Sequence, residues 1–195
     1  MSFTTPEGAT PLDPDILTGL IPDLTTQAEL NEFEQINIAA AARWAVRSRT
    51  LKRDLLSESG LRLLHRRMFD LTWRWAGAYR QRDMNIGVDW RYISTQLVSL
   101  CGDTQYHIDN GVYPWDELAA RFHHRLVLIH PFPNGNGRHA RMAADLLLTF
   151  NQREPFTWGS GASLTYDGTV RRTYLNALRA ADRGDFEALL DFIRS

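Results

Sequence analysis

Apolar residues three and four apart run along most of this chain, and that spacing limits what it can fold into: helices, each with one face that another helix has to cover. From Thr26 to about residue 47 the rhythm is kept by Leu30, Phe33, Ile36, Asn37, Ala40, Ala41 and Trp44, behind Thr26-Gln27-Ala28-Glu29, which has the spacing of a capping box. A second helix starts near Ser57 and carries Leu61, Leu64, Met68, Leu71 and Trp75 on one face until Gly77, a helix stop. Helical spacing resumes over 92–108, halts near Gly111, restarts after Pro114 and runs to Ile129. Another helix opens at Gly137 or Arg138 and reaches Phe150, with Met142, Leu146 and Phe150 aligned. Two more are expected at 168–181 and 185–194, the last capped by Asp185. Only Tyr79 to Trp90 breaks the rhythm, and Asn85-Ile86-Gly87 between its short flanks predicts a small β-hairpin. Ahead of Thr26, Pro6, Pro11, Pro14 and Pro22 favour an extended arm. The expected fold is all-α, a helical bundle with one hairpin, divided into an arm over 1–25 and a single domain over 26–195.

At 195 residues and 44% hydrophobic, the chain is long enough for one sizeable core. A formal net charge of -1 gives no whole-protein argument for nucleic acid or an anionic membrane. The basic run Arg43, Arg47, Arg49, Lys52, Arg53, Arg62, Arg66 and Arg67 is interrupted by Asp54 and Glu58 and reads as the solvated side of two helices. Cys101 is the one cysteine, which excludes an internal disulfide and fits a reducing compartment. The N-terminus lacks a basic start followed by an apolar run, and no apolar run is long enough to span a bilayer, so the expected location is cytoplasmic. His123, His124 and His139 lack carboxylate or thiol ligands at a recognised metal spacing, and His123 is expected to be a hydrogen-bonded structural histidine. Trp44, Trp73 and Trp75 fall within apolar helical patterns and are expected in the core.

One stretch is too polar and too flexible to be a plain connection. His130-Pro131-Phe132-Pro133-Asn134-Gly135-Asn136-Gly137-Arg138-His139-Ala140-Arg141 sits between two apolar helices. Its glycines permit positive φ and let backbone N–H groups turn inward, while the following helix aims its positive end at the same place. Arg138 and Arg141, three apart, share the face nearest the loop and suit phosphate oxygens. With His139, His130 is the group here whose ordinary pKa allows proton transfer near neutrality. An anion cradle beside a base suggests phosphoryl or nucleotidyl transfer. No Gly-Lys-Ser/Thr follows the glycines, so this is not the usual nucleotide loop.

These twelve residues resemble the signature of the Fic (Fic/Doc) family, H-P-F-x-(D/E)-G-N-G-R-x-x-R. "LNEFEQINI", "WRWAGAYR" and "RFHHRLVLIH" resemble Fic segments in the same order, from about residue 26 to 182, and within the family the chain most resembles a bacterial subgroup called mobile mystery protein B. The resemblance implies a Fic-like helical bundle with a hairpin flap. It implies that His130 deprotonates a target hydroxyl, that Phe132 anchors the loop, that Gly135, Asn136 and Gly137 cradle nucleotide phosphates, and that Arg138 and Arg141 hold the outer ones. The implied reaction moves AMP from ATP onto a Ser, Thr or Tyr of another protein, with Mg2+ or Mn2+ present and pyrophosphate released. The stretch from Arg82 to Ile93 becomes the flap, where Asn85, Ile86, Gly87 and Val88 align the target as an added strand. Asn134 departs from the pattern: it stands where most active members carry the Asp or Glu that helps hold magnesium, and a neutral amide oxygen holds a hard cation more weakly. Three outcomes stay open: a slower AMP transferase, a transferase with another donor or donor orientation, and a catalytically weak adaptor that binds phosphate or a partner protein. No clean copy of the family's inhibitory pattern S/T-x-x-x-E-G/N is present, and Thr25 with Glu29 ends in Leu30. A separate inhibitory, antitoxin-like chain is therefore the expected source of any restraint, and neither membrane nor nucleic acid is expected as a partner.

Overall fold

A computed structural model describes residues 14–159, 164 and 168–195. Its helices are α1 (Pro14–Leu17), α2 (Gln27–Ala45), α3 (Arg49–Asp54), α4 (Glu58–Phe69), α5 (Ile93–Asp109), α6 (Trp115–Ile129), α7 (Asn136–Phe150), α8 (Thr169–Ala181) and α9 (Glu187–Ile193). Among the described residues none is long and apolar enough to cross a membrane.

The capping box forms. Thr26 accepts from the Glu29 amide at 3.2 Å, and Glu29 Oε2 accepts from the amides of Thr25 and Thr26, each at 2.9 Å. The face α2 buries differs from the expected stripe: Leu30, Glu34, Asn37, Ala41 and Ala45 point inward, and Ile36 is exposed. Three polar residues, Asn31, Glu34 and Asn37, thus lie on the inner face, and Glu34 proves to be part of the site. After Ala45 the chain turns and Ser48 caps a short helix, α3, that apolar spacing does not announce. Ser57 then caps α4 through the Gly60 amide at 3.0 Å.

That fourth helix stops at Phe69, eight residues before the expected stop at Gly77, and Leu71 is left exposed. The cause is tertiary. Residues 72–74 pair with the segment that follows α1: Ile21 N–H donates to Thr72 O at 2.9 Å, Arg74 N–H donates to Gly19 O at 2.8 Å, and Leu20 bridges Trp73. The arm expected to be extended is therefore a helical turn followed by a segment docked on this turn, insofar as it is described; residues 1–13 lie outside the described residues. Trp73 is fully buried as expected, whereas Trp44 and Trp75 pack against the core only in part.

The expected hairpin is absent: among the described residues 79–90 run as bends, with no strand pairing. The flanks bond elsewhere. Arg80 N–H donates to Pro131 O at 3.0 Å and Val88 N–H to Ile129 O at 3.4 Å, so the segment is tied to the α6–α7 connection instead of to itself. Asp89 caps a 3-10 turn at Trp90–Tyr92 that leads into α5. α6 and α7 pack on each other at the centre of the bundle, against α4, α5 and α9, and their Phe122, Leu126, Ile129, Ala143 and Leu147 are buried. Asp185 Oδ1 caps the last helix through the Glu187 amide at 3.1 Å, as expected.

Candidate active site

The α6–α7 connection is shaped from beneath by uncharged groups. Phe132 is fully buried and stacks on the His65 ring, centroids 3.7 Å apart. Gly77 N–H donates to His65 Nδ1 at 3.0 Å, so the proton sits on Nε2 and is donated to Asn134 O at 3.0 Å. Burial, first of all, holds the pKa of His65 well below its ordinary value, which keeps this tautomer neutral. His139 Nε2 bonds Leu61 O at 2.9 Å from the next turn of α7. Asn136 closes the loop on itself: its Oδ1 accepts from Phe132 N–H at 2.9 Å and its Nδ2 donates to Phe132 O at 2.8 Å. The expected phosphate-cradling role of Asn136 is thus left to its backbone, because its side chain is a clasp. Gly135, at φ 79, lies so close to Phe69 that a Cβ there would meet the ring at 2.5 Å.

His130 ends α6 in the left-handed region, φ 53 and ψ 59, where glycine or asparagine is usual. Such a conformation costs about 1 kcal/mol or more and persists only when neighbours fix it. Arg80 does so by donating from Nε to His130 O at 2.7 Å. The ring is buried and bonded to the Val127 carbonyl, and its pKa falls to about 4 through burial and then the Arg80 charge. At neutral pH the imidazole carries no proton on its acceptor nitrogen, the form a general base needs. Gly87 lies over it: a Cβ on Gly87 would meet Arg80 Nη2 at 2.5 Å and His130 Cβ at 2.9 Å. Of the other expected flap residues, Asn85 is exposed, while Ile86 and Val88 are half-buried.

On the far side of the loop α7 begins at Asn136, and among the described residues no side chain caps its first turn. The guanidinium of Arg141 lies beside that turn, its Nη1 3.7 Å from where a Cβ on Gly137 would be. Arg141 is held from behind by Tyr174, its guanidinium carbon 5.6 Å from the ring centroid, and Tyr174 bonds His123 at 2.9 Å. His123 is thus the structural histidine its position suggested. Arg138 has a carboxylate partner: Nη1 meets Glu34 Oε2 at 2.6 Å, and Glu34 Oε1 also accepts from Trp73 Nε1 at 2.7 Å. Of the two expected phosphate arginines, Arg138 is already neutralised, and Arg141 has no ion pair with a carboxylate among the described residues.

The expected metal role of Asn134 meets a competitor. Its Oδ1 accepts from Gly135 N–H at 2.6 Å and faces Arg138 Nη2 at 3.4 Å, so its best lone pair is spent on the loop. Among the described residues no three His, Cys, Asp or Glu side chains cluster as a metal site. These donors do not fit a protein-held magnesium ion, which usually takes one or two carboxylates beside substrate phosphates. His124 bonds Asp182 at 2.8 Å and is also structural.

Residues 55–148 match the model of the Fic/DOC family. Among solved structures, Fic-1 (residues 134–508) from C. elegans is 25% identical with a TM-score of 0.68, covering 91% of this chain and 51% of that one. The chain thus spans about half the length of that protein's structure. The N-terminal Fic domain of Bep8 from Bartonella sp. 1-1C is 14% identical, TM-score 0.71, with 88% and 86% of the two chains covered. BepC from Bartonella tribocorum, solved with AMPPNP, is 18% identical, TM-score 0.61, with 93% and 96% covered. The match contains the loop, His130, Gly135 and both arginines, and the chain carries a Fic/DOC-family domain.

Proposed function

We propose that this domain transfers a nucleotidyl group, AMP from ATP, to the hydroxyl of a Ser, Thr or Tyr in a protein docked along residues 85–88. The observation that carries the reading is the pairing of an uncharged, buried His130 with a helix start that no side chain caps, beside Arg141, which makes no ion pair with a carboxylate among the described residues. Backbone amides of the first turn of α7 and the Arg141 guanidinium bind phosphate oxygens by charge-assisted hydrogen bonds. The target oxygen attacks the α-phosphorus, its proton passes to the His130 ring, and the bond to the β-phosphate breaks as pyrophosphate leaves. Most of the rate comes from position and from fixed positive groups facing the developing charge. Nucleotides bound in related folds support the choice of ligand: AMPPNP in BepC, and ADP in a Fic domain from Bartonella quintana.

The Glu34–Arg138 pair and the occupied amide of Asn134 favour a second reading, an adaptor that holds phosphate without turnover. Purified chain incubated with ATP labelled in the α-phosphate, magnesium or manganese and a cell extract separates them. Label on protein that disappears in His130→Ala supports transfer; label that survives refutes the base; ATP binding by calorimetry without label on any protein supports the adaptor.

A further inference from the structure

We infer that Arg80 is a positioning residue for this transfer, one guanidinium that holds the backbone of the base and the segment lying over it as a single unit. The inference rests on the proposed role of His130. Arg80 is almost fully buried. Its Nε donates to His130 O at 2.7 Å, its Nη1 to Arg82 O at 2.8 Å, and its Nη2 to Val88 O and, at 3.4 Å, to Ile129 O. Carbonyls from both ends of the 82–88 segment and from both residues at the end of α6 thus converge on one fork, a geometry lysine cannot reproduce. Gly87 closes the unit, touching both the guanidinium and the His130 side chain where any larger residue would collide.

The consequence is chemical as well as mechanical. The charge acting on the imidazole is that of Arg80, with Asp83 3.6 Å from Nη1 and Asp89 acting on Arg80 from further off; from α6 comes the Val127 carbonyl. Held there, the arginine adds to burial in keeping the ring unprotonated and fixes its left-handed backbone. A target segment that pairs with 85–88 is aligned to the base through the same side chain.

The test uses the 195-residue chain labelled in histidine and followed by NMR without nucleotide. In the unsubstituted protein the His130 midpoint lies at about 4, held there first by burial; in Arg80→Met it moves up by about one unit as a neighbouring positive charge is lost. Arg62→Met is the control, because Arg62 also ties down a carbonyl nearby, that of Gly77 at 3.0 Å, without touching His130. An unmoved midpoint in Arg80→Met, or an equal shift in the control, overturns the inference. Should Arg80→Met fail to fold, Gly87→Ala reads the same coupling: the Val88 amide exchanges at least about tenfold faster and the His130 ring signals move, and no change in either overturns it. ATP calorimetry runs in parallel, with the affinity of Arg80→Met expected within about threefold of the parent because the Gly135–Arg141 seat does not include Arg80. Loss of ATP binding by the unsubstituted chain overturns the transferase reading instead, and leaves the ring titration to decide the role of Arg80.

Discussion

Acidification to about pH 5 will remove much of this protein's stability, and the buried imidazoles set the size of the loss. Burial holds His130 and His139 at about 4 and His123 at about 3, against an ordinary value of 6.5. A base with a depressed folded pKa binds protons first in the unfolded chain. Its contribution is therefore complete above 6.5 and is lost as pH falls from there towards the folded value. Between about pH 7 and about pH 5 each such ring withdraws about 2 kcal/mol, or about 6 for the three. His65, also depressed, adds in the same direction. Asp145 opposes them: burial raises its carboxyl to about 6, so protonation relieves it and returns about 1 kcal/mol over the same interval. The net loss, about 5 kcal/mol, is comparable with the whole stability of a marginal domain. Urea unfolding at the two pH values measures it, and His139→Gln, which removes one imidazole and no substrate contact, should reduce the difference by about 2 kcal/mol. A change of less than about 1 kcal/mol in the unsubstituted protein, or no reduction in the variant, would refute the argument that these rings stay neutral because they are buried.

Three further outcomes follow from single contacts. Asn136→Ala strips the clasp from Phe132 and leaves a buried N–H and C=O unpaired, at about 3 kcal/mol in urea unfolding, with ATP affinity reduced as the loop loosens; a stability within about 1 kcal/mol of the parent would contradict the clasp. Gly135→Ala forces a methyl into the Phe69 ring at positive φ and costs about 2 kcal/mol or more, visible in the thermal midpoint. Glu34→Gln keeps an acceptor for Trp73 but frees the Arg138 charge, so calorimetry should find ATP bound about three- to tenfold more tightly, and an unchanged affinity would mean that Arg138 does not face the phosphates.

Where one face of a helix is apolar, the sequence was readable: α5, α6, α7 and α8 begin and end within a residue or two of the boundaries their spacing predicts. The place of the loop was readable too, since its glycines and prolines interrupt two apolar stretches, and it joins α6 to α7 there. What escaped were features set by side chains far apart in sequence. The end of α4 depends on Leu20 and Gly19 reaching residues 72–74, which no local pattern records. The turn over 79–90 looked like a hairpin because its flanks are short and extended, yet its backbone groups are taken up by Arg80 and by the end of α6. Glu34 was hidden by the assumption that a buried face is apolar; its place four residues after Leu30 was the only signal.

The division of labour in the loop explains why those hidden residues matter. From beneath, the backbone of 130–136 is fixed by His65, Phe132 and Asn136, none charged at neutral pH, with every hydrogen bond between them made inside the protein. From above, Arg141 lies beside the start of α7 with no ion pair among the described residues, and Arg138 lies there paired with Glu34. Because the supports are neutral, an arriving phosphate neither competes for them nor has to reorganise them, and the fixed positive groups act on it without a preliminary rearrangement. Protonating Nδ1 of His65 would reverse this, removing the acceptor for Gly77 N–H and placing a positive charge under the loop. Because burial holds that protonation well below the ordinary imidazole range, the folded site keeps its shape while the fold loses stability, and nucleotide affinity should fall only with the folded fraction. His139→Gln, which relieves the loss of stability and leaves His65 in place, should then hold nucleotide affinity to lower pH.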